Sequence, residues 1–203
     1  MTLLVLVRHG QTAWNRQERF RGQADIPLDE AGLAQAERAG RHIAALWQPA
    51  AIYASPLSRA HQTAAAIAQH FELHVQPHPG LLDIHYGDWQ GLTPTEVAAR
   101  WLFEFRQWQD APATMRIPGG ESLEVLRERG MEAVRELVAR HTGETIILVG
   151  HTVINRVLLL SMMGVGLEAF WRLRQDPCAI NVIEADAGQF VLCLVNQTLH
   201  LRD

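Results

Sequence analysis

The chain has 203 residues, of which 48% are hydrophobic and 20% are charged, and its formal net charge is -4 at pH 7. This composition is typical of a globular chain that buries a sizeable core, and it predicts one domain over residues 1–203. The negative balance argues against binding to nucleic acid or to a membrane surface through bulk charge, although a local pocket can still be positive. We therefore expect small molecules as partners.

Cysteine usage and the N-terminal sequence predict a cytoplasmic protein. Cys178 and Cys193 are the only cysteines, too few for a disulfide scaffold or a clustered thiolate metal site. At the N-terminus the charge follows the apolar run, which is the wrong order for a signal peptide. The apolar stretch 153–171 contains Asn155, Arg156 and glycines, which favours a buried helix over a membrane span.

The N-terminal part of the chain alternates between strand-like and helix-like segments. Residues 3–7 are a short aliphatic run, which predicts a buried strand. Residues 29–47 predict a helix with Asp29 as its N-cap. The apolar positions near helical spacing in that segment are Leu33, Ala36, Ile43 and Leu46.

A second strand and helix follow directly. Residues 51–54 predict a strand. Residues 55–71 predict a helix that begins with Ser55 as its N-cap and Pro56 at the first helical position. Arg59 then falls in the first turn of that helix, close to the end of the preceding strand.

The rest of the chain continues this alternation. Residues 123–138 place apolar side chains on one face of a long helix, and residues 145–163 predict a buried strand that leads into another helix. Residues 179–185 and 189–196 have the pattern of paired strands. The whole chain therefore predicts an α/β fold in three layers, with one mostly parallel sheet covered by helices on both faces.

Three segments place charged or titratable side chains at the carboxyl ends of predicted strands. They are Arg8-His9-Gly10, Ser55 to Arg59, and Gly150-His151-Thr152. In open α/β sheets, ligands bind beyond these strand ends and close to helix N-termini. A lone histidine in such a place is most often a loop or capping residue. Two histidines and two arginines at equivalent positions favour a functional site.

This set of residues predicts a site for a phosphoryl group. Arginine donates bidentately to a phosphate dianion, and amides at helix N-termini add to the attraction, which suits Arg8 and Arg59. A neutral imidazole can attack phosphorus and hold the phosphoryl group covalently, so either His9 or His151 can be the nucleophile. The other histidine, in its cationic form, would stabilise the charge on the transferring group.

The motifs resemble those of the histidine phosphatase superfamily, also called phosphoglycerate mutase-like proteins. The matching segments are "LVRHGQTAWN", "RFRGQADIPLDEAGLAQA", "SPLSRAHQTA", "LLDIHYGDWQG", "PGGESL" and "LVGHTVINRVLL". The resemblance covers essentially the whole chain and implies the three-layer phosphoglycerate mutase-like fold. It also implies that His9 is the nucleophile, His151 the second pocket histidine, Arg8 and Arg59 the phosphate clamp, and Asn15 a further phosphate contact.

The resemblance places the proton donor at Asp83, where the mutases and broad-specificity phosphatases have glutamate. Aspartate serves as the acid in other branches of the family, with a carboxyl that is one methylene shorter. Alternatives are a carboxylate that caps a loop or pairs with an arginine, and Asp88 as the acid. To donate a proton near neutral pH, Asp83 needs a pKa above the usual value of about 3.9, and a dianionic substrate raises it.

Substrate specificity is expected to come from residues near this acid. The candidates for contact with the substrate are Arg21, Gly22, Gln23, His85, Arg116 and Thr152. Residues 92–118 predict a helical lid. The aromatic residues in or beside it, which belong either to the core or to the pocket wall, are Trp89, Trp101, Phe105 and Trp108. Family members that act on phosphoserine have histidine where this chain has Tyr86, which argues against phosphoserine as the substrate.

The sequence thus predicts a metal-independent hydrolase that acts on small phosphorylated metabolites through a phosphohistidine. Its length is similar to that of the compact phosphatases, among them broad-specificity phosphatase, metal-independent phosphoserine phosphatase and α-ribazole phosphatase. Because neither His-x-x-x-His nor paired-cysteine spacing occurs near the site, we expect no metal and no cofactor. A cofactor-dependent phosphoglycerate mutase and a non-catalytic member of the fold are the alternatives, and a homodimer is left open.

Overall fold

A six-stranded sheet organises the chain in the computed structural model, which describes residues 1–202. The strands are β1 (Thr2–Arg8), β2 (Ala51–Ala54), β3 (Val75–Pro77), β4 (Thr145–Gly150), β5 (Ile180–Asp186) and β6 (Gln189–Gln197). Their order across the sheet is β3-β2-β4-β1-β5-β6. The first four are parallel, whereas β5 and β6 run antiparallel to their neighbours. The predicted mostly parallel α/β fold is confirmed.

Helices cover both faces of this sheet. They are α1 (Ala13–Arg16), α2 (Glu30–Leu46), α3 (Ser58–Ala68), α4 (Pro94–Arg100), α5 (Leu102–Asp110), α6 (Leu123–Arg140) and α7 (Thr152–Met162). Alternate residues of β1 face opposite sides, as strand geometry requires. Leu4 and Leu6 belong to the core on the side of α6 and α7, while Val5 and Val7 belong to the core under α2 and α3.

Helix α2 begins where the sequence predicts, because the Asp29 side chain accepts a hydrogen bond from the Gly32 amide at 2.9 Å. Its buried stripe differs from the predicted one, since Leu33 and Leu46 are exposed. The stripe consists of Gly32, Ala36, Ala39, Gly40 and Ile43. These positions repeat at helical spacing, and the glycines and alanines among them let α2 pack closely on α3.

Helix α3 begins at Ser58, so the prediction of Ser55 as the N-cap and Pro56 as the first helical residue is wrong. The Asp25 carboxylate, which comes from the loop between α1 and α2, accepts from both the amide and the hydroxyl of Ser58 at 2.7 Å. This distant carboxylate satisfies a free amide of the first turn, which removes the need for a local cap. Arg59 still lies in that first turn, as predicted.

The segment 92–118 contains the short helices α4 and α5. Thr93 caps α4 through a capping box with Glu96, and Pro94 is its first residue. The aromatic residues singled out by the sequence, Trp89, Trp101, Phe105 and Trp108, all belong to or pack against the large core cluster. Within residues 1–202, no helix combines the length and the apolar character needed to cross a bilayer. That residues 1–203 form a single domain and that residues 92–118 act as a lid stay predictions.

Candidate active site

A cavity of about 530 Å³ lies next to the carboxyl ends of β1 and β4. Side chains from distant parts of the chain form its wall, among them Arg8, Asn15, Arg21, Asp83, Thr152 and Arg156. The side chains of His9, Arg59 and His151 are buried beside this wall, each with 1% exposure or less. The parallel strands and the loops that follow them therefore bring most of the predicted site residues together.

His9 follows the last residue of β1 and is held from two sides. Its backbone N–H donates to the Gly150 carbonyl at 3.0 Å, which ties the end of β1 to the end of β4. Its ring Nδ1 lies 2.6 Å from the Gly10 carbonyl oxygen. A carbonyl only accepts, so Nδ1 carries the proton and the lone pair of the neutral ring is on Nε2.

His151 and Arg59 form the neighbouring part of the site. The Arg59 Nε–H donates to His151 Nδ1 at 3.1 Å, which places the proton of the neutral His151 ring on Nε2. His151 Nε2 is buried and has no hydrogen-bond partner within residues 1–202. The centroids of the His9 and His151 rings are 5.1 Å apart. The two rings thus offer a lone pair and an unpaired donor side by side.

Backbone carbonyls fix the Arg59 guanidinium in place. Its two terminal nitrogens donate to the carbonyls of Gly22 at 2.6 Å and Ala24 at 2.7 Å. Gly22 has a φ of 49°, in the left-handed region that favours glycine, so this turn presents its carbonyl to Arg59. Gly22 therefore positions Arg59 through its backbone.

Arg8 and Asn15 present donors in the cavity wall. One terminal nitrogen of Arg8 donates to the Gln175 carbonyl at 2.6 Å, and its buried Nε has no partner in the described chain. The Asn15 side-chain oxygen accepts from the amide and hydroxyl of Thr12, at 3.0 and 2.8 Å. The amide NH₂ of Asn15 is therefore the end that can donate to an anion.

Burial shapes the protonation of these basic groups. It lowers the pKa of His9 and of His151 well below the usual imidazole value, and the nearby Arg59 guanidinium lowers both further. Burial also lowers the pKa of Arg8 to about 9 and of Arg59 to about 10. Near neutral pH the site thus combines neutral histidines with charged arginines, which attract an anion and leave a nucleophilic nitrogen free.

Asp83 lies in the same wall with 3% exposure. Burial raises its pKa, while Arg59 and Arg21 act in the opposite direction. Its Oδ1 accepts from the Ile154 amide at 3.4 Å, and it forms no ion pair within residues 1–202. A buried carboxyl with a raised pKa suits a proton donor. The alternative acid, Asp88, is exposed and does not line the cavity.

The predicted substrate contacts separate into three groups. Arg21 and Thr152 line the cavity, and both the Arg21 Nε and the Thr152 hydroxyl are buried without a partner in the described residues. Gln23 donates its side-chain amide to the Asp83 carbonyl at 3.1 Å, so it supports the acid. His85 and Arg116 are exposed and do not line the cavity. The Gly87 amide donates to the His85 ring, which fixes that side chain within its own loop.

Sequence reasoning missed a second wall of the cavity. This wall consists of Arg156, Phe170, Trp171, Arg174 and Gln175. Only Arg156 carried a usable signal, because it follows Thr152 by four residues and must lie on the same face of α7. The other residues reach the cavity through the turn Leu167–Arg172 and the loop after it, whose position depends on tertiary packing.

Comparison with known protein families identifies the class of protein to which this fold and this set of residues belong. The model of the histidine phosphatase superfamily (branch 1) matches residues 4–198. The chain therefore belongs to this superfamily, and the predicted family is confirmed. It is a histidine phosphatase, which confirms the predicted class of enzyme.

Relatives with known names agree with this assignment. "Phosphoserine phosphatase 1" of Hydrogenobacter thermophilus is 33% identical over 201 residues, which are 99% of this chain and 95% of the relative. The "Metal-independent phosphoserine phosphatase" of Arabidopsis thaliana is 36% identical over 79% of this chain and 68% of its own length. The "Bifunctional protein Rv2228c" of Mycobacterium tuberculosis is longer, and the match covers 55% of it.

Solved structures share the fold closely. "Bacillus stearothermophilus YhfR" superposes with a TM-score of 0.95 and 32% identity, with full coverage of both chains. A mycobacterial glucosyl-3-phosphoglycerate phosphatase in complex with VO3 has a TM-score of 0.88 and 29% identity over 97% of this chain and 99% of the other. Both share the fold of this chain, and the second is named a phosphatase.

Proposed function

We propose that the protein hydrolyses phosphomonoesters of small metabolites in two steps, through a phosphoryl group held on Nε2 of His9. The observation that carries this proposal is the hydrogen bond from His9 Nδ1 to the Gly10 carbonyl, which leaves the Nε2 lone pair available. The buried pair of Arg59 and His151 beside that ring supplies positive charge and an unpaired N–H donor. A neutral nucleophile in a cationic pocket suits attack on a phosphate dianion.

In the first step, Arg8, Arg59 and the Asn15 amide bind the phosphate oxygens. His9 Nε2 attacks phosphorus, so an N–P bond forms while the bond from phosphorus to the ester oxygen breaks. Asp83 gives its proton to that oxygen, and the product leaves as a neutral alcohol. The arginines and the His151 N–H stabilise the charge on the equatorial oxygens of the transferring group.

In the second step, water replaces the alcohol. The Asp83 carboxylate takes a proton from the water as its oxygen attacks phosphorus. The N–P bond breaks, inorganic phosphate leaves, and the His9 lone pair and the Asp83 proton are both restored. Each residue thus ends the cycle in its starting state.

Hydrolysis is favoured over a mutase reaction by the names of the relatives, which include several phosphatases. The arginines of the segment 92–118 give no support for a bisphosphate site, because Arg100, Arg106 and Arg116 are all exposed and away from the cavity. The positive charge in the cavity comes from other segments, chiefly Arg8, Arg21 and Arg156.

This proposal can be tested by measuring the release of inorganic phosphate from a panel of phosphomonoesters in excess chelator. We expect release of inorganic phosphate without added metal, because arginines supply the charge that a metal would otherwise provide. His9→Ala should abolish turnover and leave the fold intact, while the exposed His85→Ala is the matched control and should keep wild-type rates. Activity that disappears in chelator and returns with magnesium or zinc would contradict the mechanism. So would faster conversion of 3-phosphoglycerate to 2-phosphoglycerate than release of phosphate.

The proposed location is the cytoplasm, and the proposed partner is the small phosphorylated substrate. The cysteines support the cytoplasmic location, because both Cys178 and Cys193 are free thiols and Cys193 is exposed. Exposed free thiols are typical of reducing compartments.

A further inference from the structure

Arg156 stands out in the cavity wall because it has no partner of opposite charge among residues 1–202. It lies on α7, and its guanidinium carbon is 5.1 Å from the centroid of the Phe170 ring and 5.5 Å from that of Trp171. Its Nε is buried and makes no hydrogen bond, and it forms no ion pair within the described chain. Aromatic faces hold a guanidinium flat while leaving its donor edge free.

The carboxylates near Arg156 are occupied or exposed. Asp176 also lines the cavity, but its Oδ1 accepts from Arg174 Nε at 2.8 Å and its Oδ2 from the Asn196 amide at 2.9 Å. Glu18 lines the cavity as an exposed side chain that forms no ion pair among residues 1–202. Asp83 is buried with a raised pKa and accepts from the Ile154 amide. The Arg156 charge is therefore available to a bound molecule.

The position of Arg156 along α7 sets its distance from the phosphate site. Thr152, the first residue of α7, lies beside His151, and Arg156 follows Thr152 by four residues on the same helix face. Four residues of an α-helix rise about 6 Å. A molecule whose phosphate sits at the start of α7 would therefore reach Arg156 with a second group only a few bonds away.

We propose that Arg156 binds a carboxylate of the substrate, about four bonds from the phosphorus atom, so that the enzyme prefers phosphorylated hydroxy acids or amino acids. This specificity rests on the function proposed above. Arginine forms two parallel hydrogen bonds with a carboxylate, and the buried Phe170 ring shields one side of the Arg156 guanidinium from water, which strengthens the pair. Arg8 and Arg59 bind the phosphate, so the two anionic groups have separate cationic partners.

Two substrates that differ only at the proposed contact test this inference. 3-Phosphoglycerate carries a carboxylate where glycerol 3-phosphate carries a hydroxymethyl group. A charge-assisted pair contributes about 1.5–3 kcal/mol, so wild-type kcat/KM should be about 10- to 100-fold higher for 3-phosphoglycerate. Arg156→Met should lose most of that preference, because only 3-phosphoglycerate carries the carboxylate. Its kcat/KM should fall by at least about tenfold more on 3-phosphoglycerate than on glycerol 3-phosphate. Arg172→Met is the matched control, since Arg172 is exposed, lies on the Leu167–Arg172 turn and does not line the cavity.

Binding measured by calorimetry on His9→Ala protein separates this inference from the proposed reaction. We expect His9→Ala to bind 3-phosphoglycerate more tightly than glycerol 3-phosphate, and His9→Ala combined with Arg156→Met to bind both with similar affinity. Equal affinities in the first protein, or an undiminished preference in the second, would overturn the carboxylate assignment even if the enzyme is an active phosphatase. If no phosphomonoester is hydrolysed, the proposed function fails while this binding comparison still decides the subsite. A preference for 2,3-bisphosphoglycerate over 3-phosphoglycerate that depends on Arg156 would assign the site to a second phosphate instead.

Discussion

At the scale of single residues, burial favours the neutral forms of the reacting groups, while the binding groups stay charged. His9 and Asp83 are both buried, and burial moves their pKa values in opposite directions, each toward the neutral form. The arginines around them stay protonated at neutral pH because even the lowered pKa of Arg8 is about 9. Burial therefore favours an unprotonated nucleophile and a protonated acid in the free enzyme.

The raised pKa of Asp83 predicts the pH dependence of the reaction. Asp83 donates only while it is protonated, so kcat/KM for alkyl phosphates should fall as the pH rises through its raised pKa. Asp83→Asn cannot donate, and we expect it to lose about 10²- to 10⁴-fold on alkyl phosphates and much less on aryl phosphates, whose leaving groups need no proton. Rate profiles against pH with glycerol 3-phosphate and p-nitrophenyl phosphate measure both effects.

Asp88→Asn is the matched control for this prediction. Asp88 is exposed and away from the cavity, so its variant should keep the wild-type rates and pH profile. Equal losses on alkyl and aryl phosphates in Asp83→Asn would show that Asp83 does not act as the acid.

The central residues of the site could be predicted from the sequence for a geometric reason. His9 and His151 follow β1 and β4, which are paired neighbours in the sheet, and parallel strands end at a common edge. His85 was misplaced because its loop turns its side chain outward, where its ring accepts from the Gly87 amide. Sequence position relative to a strand end was informative, whereas position within a loop was not.

At the scale of elements, an aromatic residue of the segment 92–118 packs against the second cavity wall and supports it. Trp108 on α5 packs against Phe170 and Trp171, with ring centroids 5.5 and 5.6 Å apart, and its carbonyl accepts from Trp171 Nε1 at 3.0 Å. Phe170 and Trp171 in turn flank Arg156. The segment thus affects the site through the core.

A pair of substitutions on α5 tests this arrangement. Trp108→Ala should lower the free energy of unfolding by about 3–5 kcal/mol, because it leaves a cavity under the wall. It should also raise KM, since Phe170 and Trp171 lose their support. Phe103→Ala, on the same helix but with 77% exposure, should change stability by less than about 0.5 kcal/mol. Denaturant titration measures both, and equal small changes would contradict the role given to Trp108.

Local patterns predicted most elements but not all of their boundaries. Continuous apolar runs predicted β1 and β4, which are buried along nearly their whole length, and apolar residues at helical spacing predicted α6, which buries one face. The start of α3 could not be predicted, because Asp25, which caps it, lies 33 residues before Ser58. The three-residue strand β3 has exposed or half-buried residues and ends in Pro77, so it carries too little pattern for recognition.

At the scale of the whole molecule, the fold brings several arginine side chains together around one cavity. Their positive charges repel one another until an anion binds. Arg8, Arg21 and Arg156 line one cavity, and the nearby Arg21 and Arg156 charges each lower the pKa of Arg8. Filling this site with an anion removes that repulsion, and a ligand that binds only the folded state stabilises it. The substrate-free enzyme should therefore be less stable than its complexes.

Thermal unfolding with and without vanadate measures this coupling. At 100 times its Kd, vanadate should stabilise the fold by about 2.7 kcal/mol. For a chain of this length that corresponds to a rise in Tm of about 5–10 °C. Arg8→Met should show a much smaller rise, and sodium chloride at the same ionic strength is the control for salt. An equal rise in Arg8→Met would show that vanadate acts elsewhere.

The central claim is that the phosphoryl group passes through His9, and trapping the phosphoenzyme tests it most directly. Brief incubation with substrate, a quench in base and mass spectrometry of the peptides would locate the phosphoryl group. The account predicts a phosphorylated peptide that contains His9, is stable in base, is lost in acid and is absent from His9→Ala. A phosphoryl group on His151 or on an acid-stable residue, or full activity in His9→Ala, would contradict it.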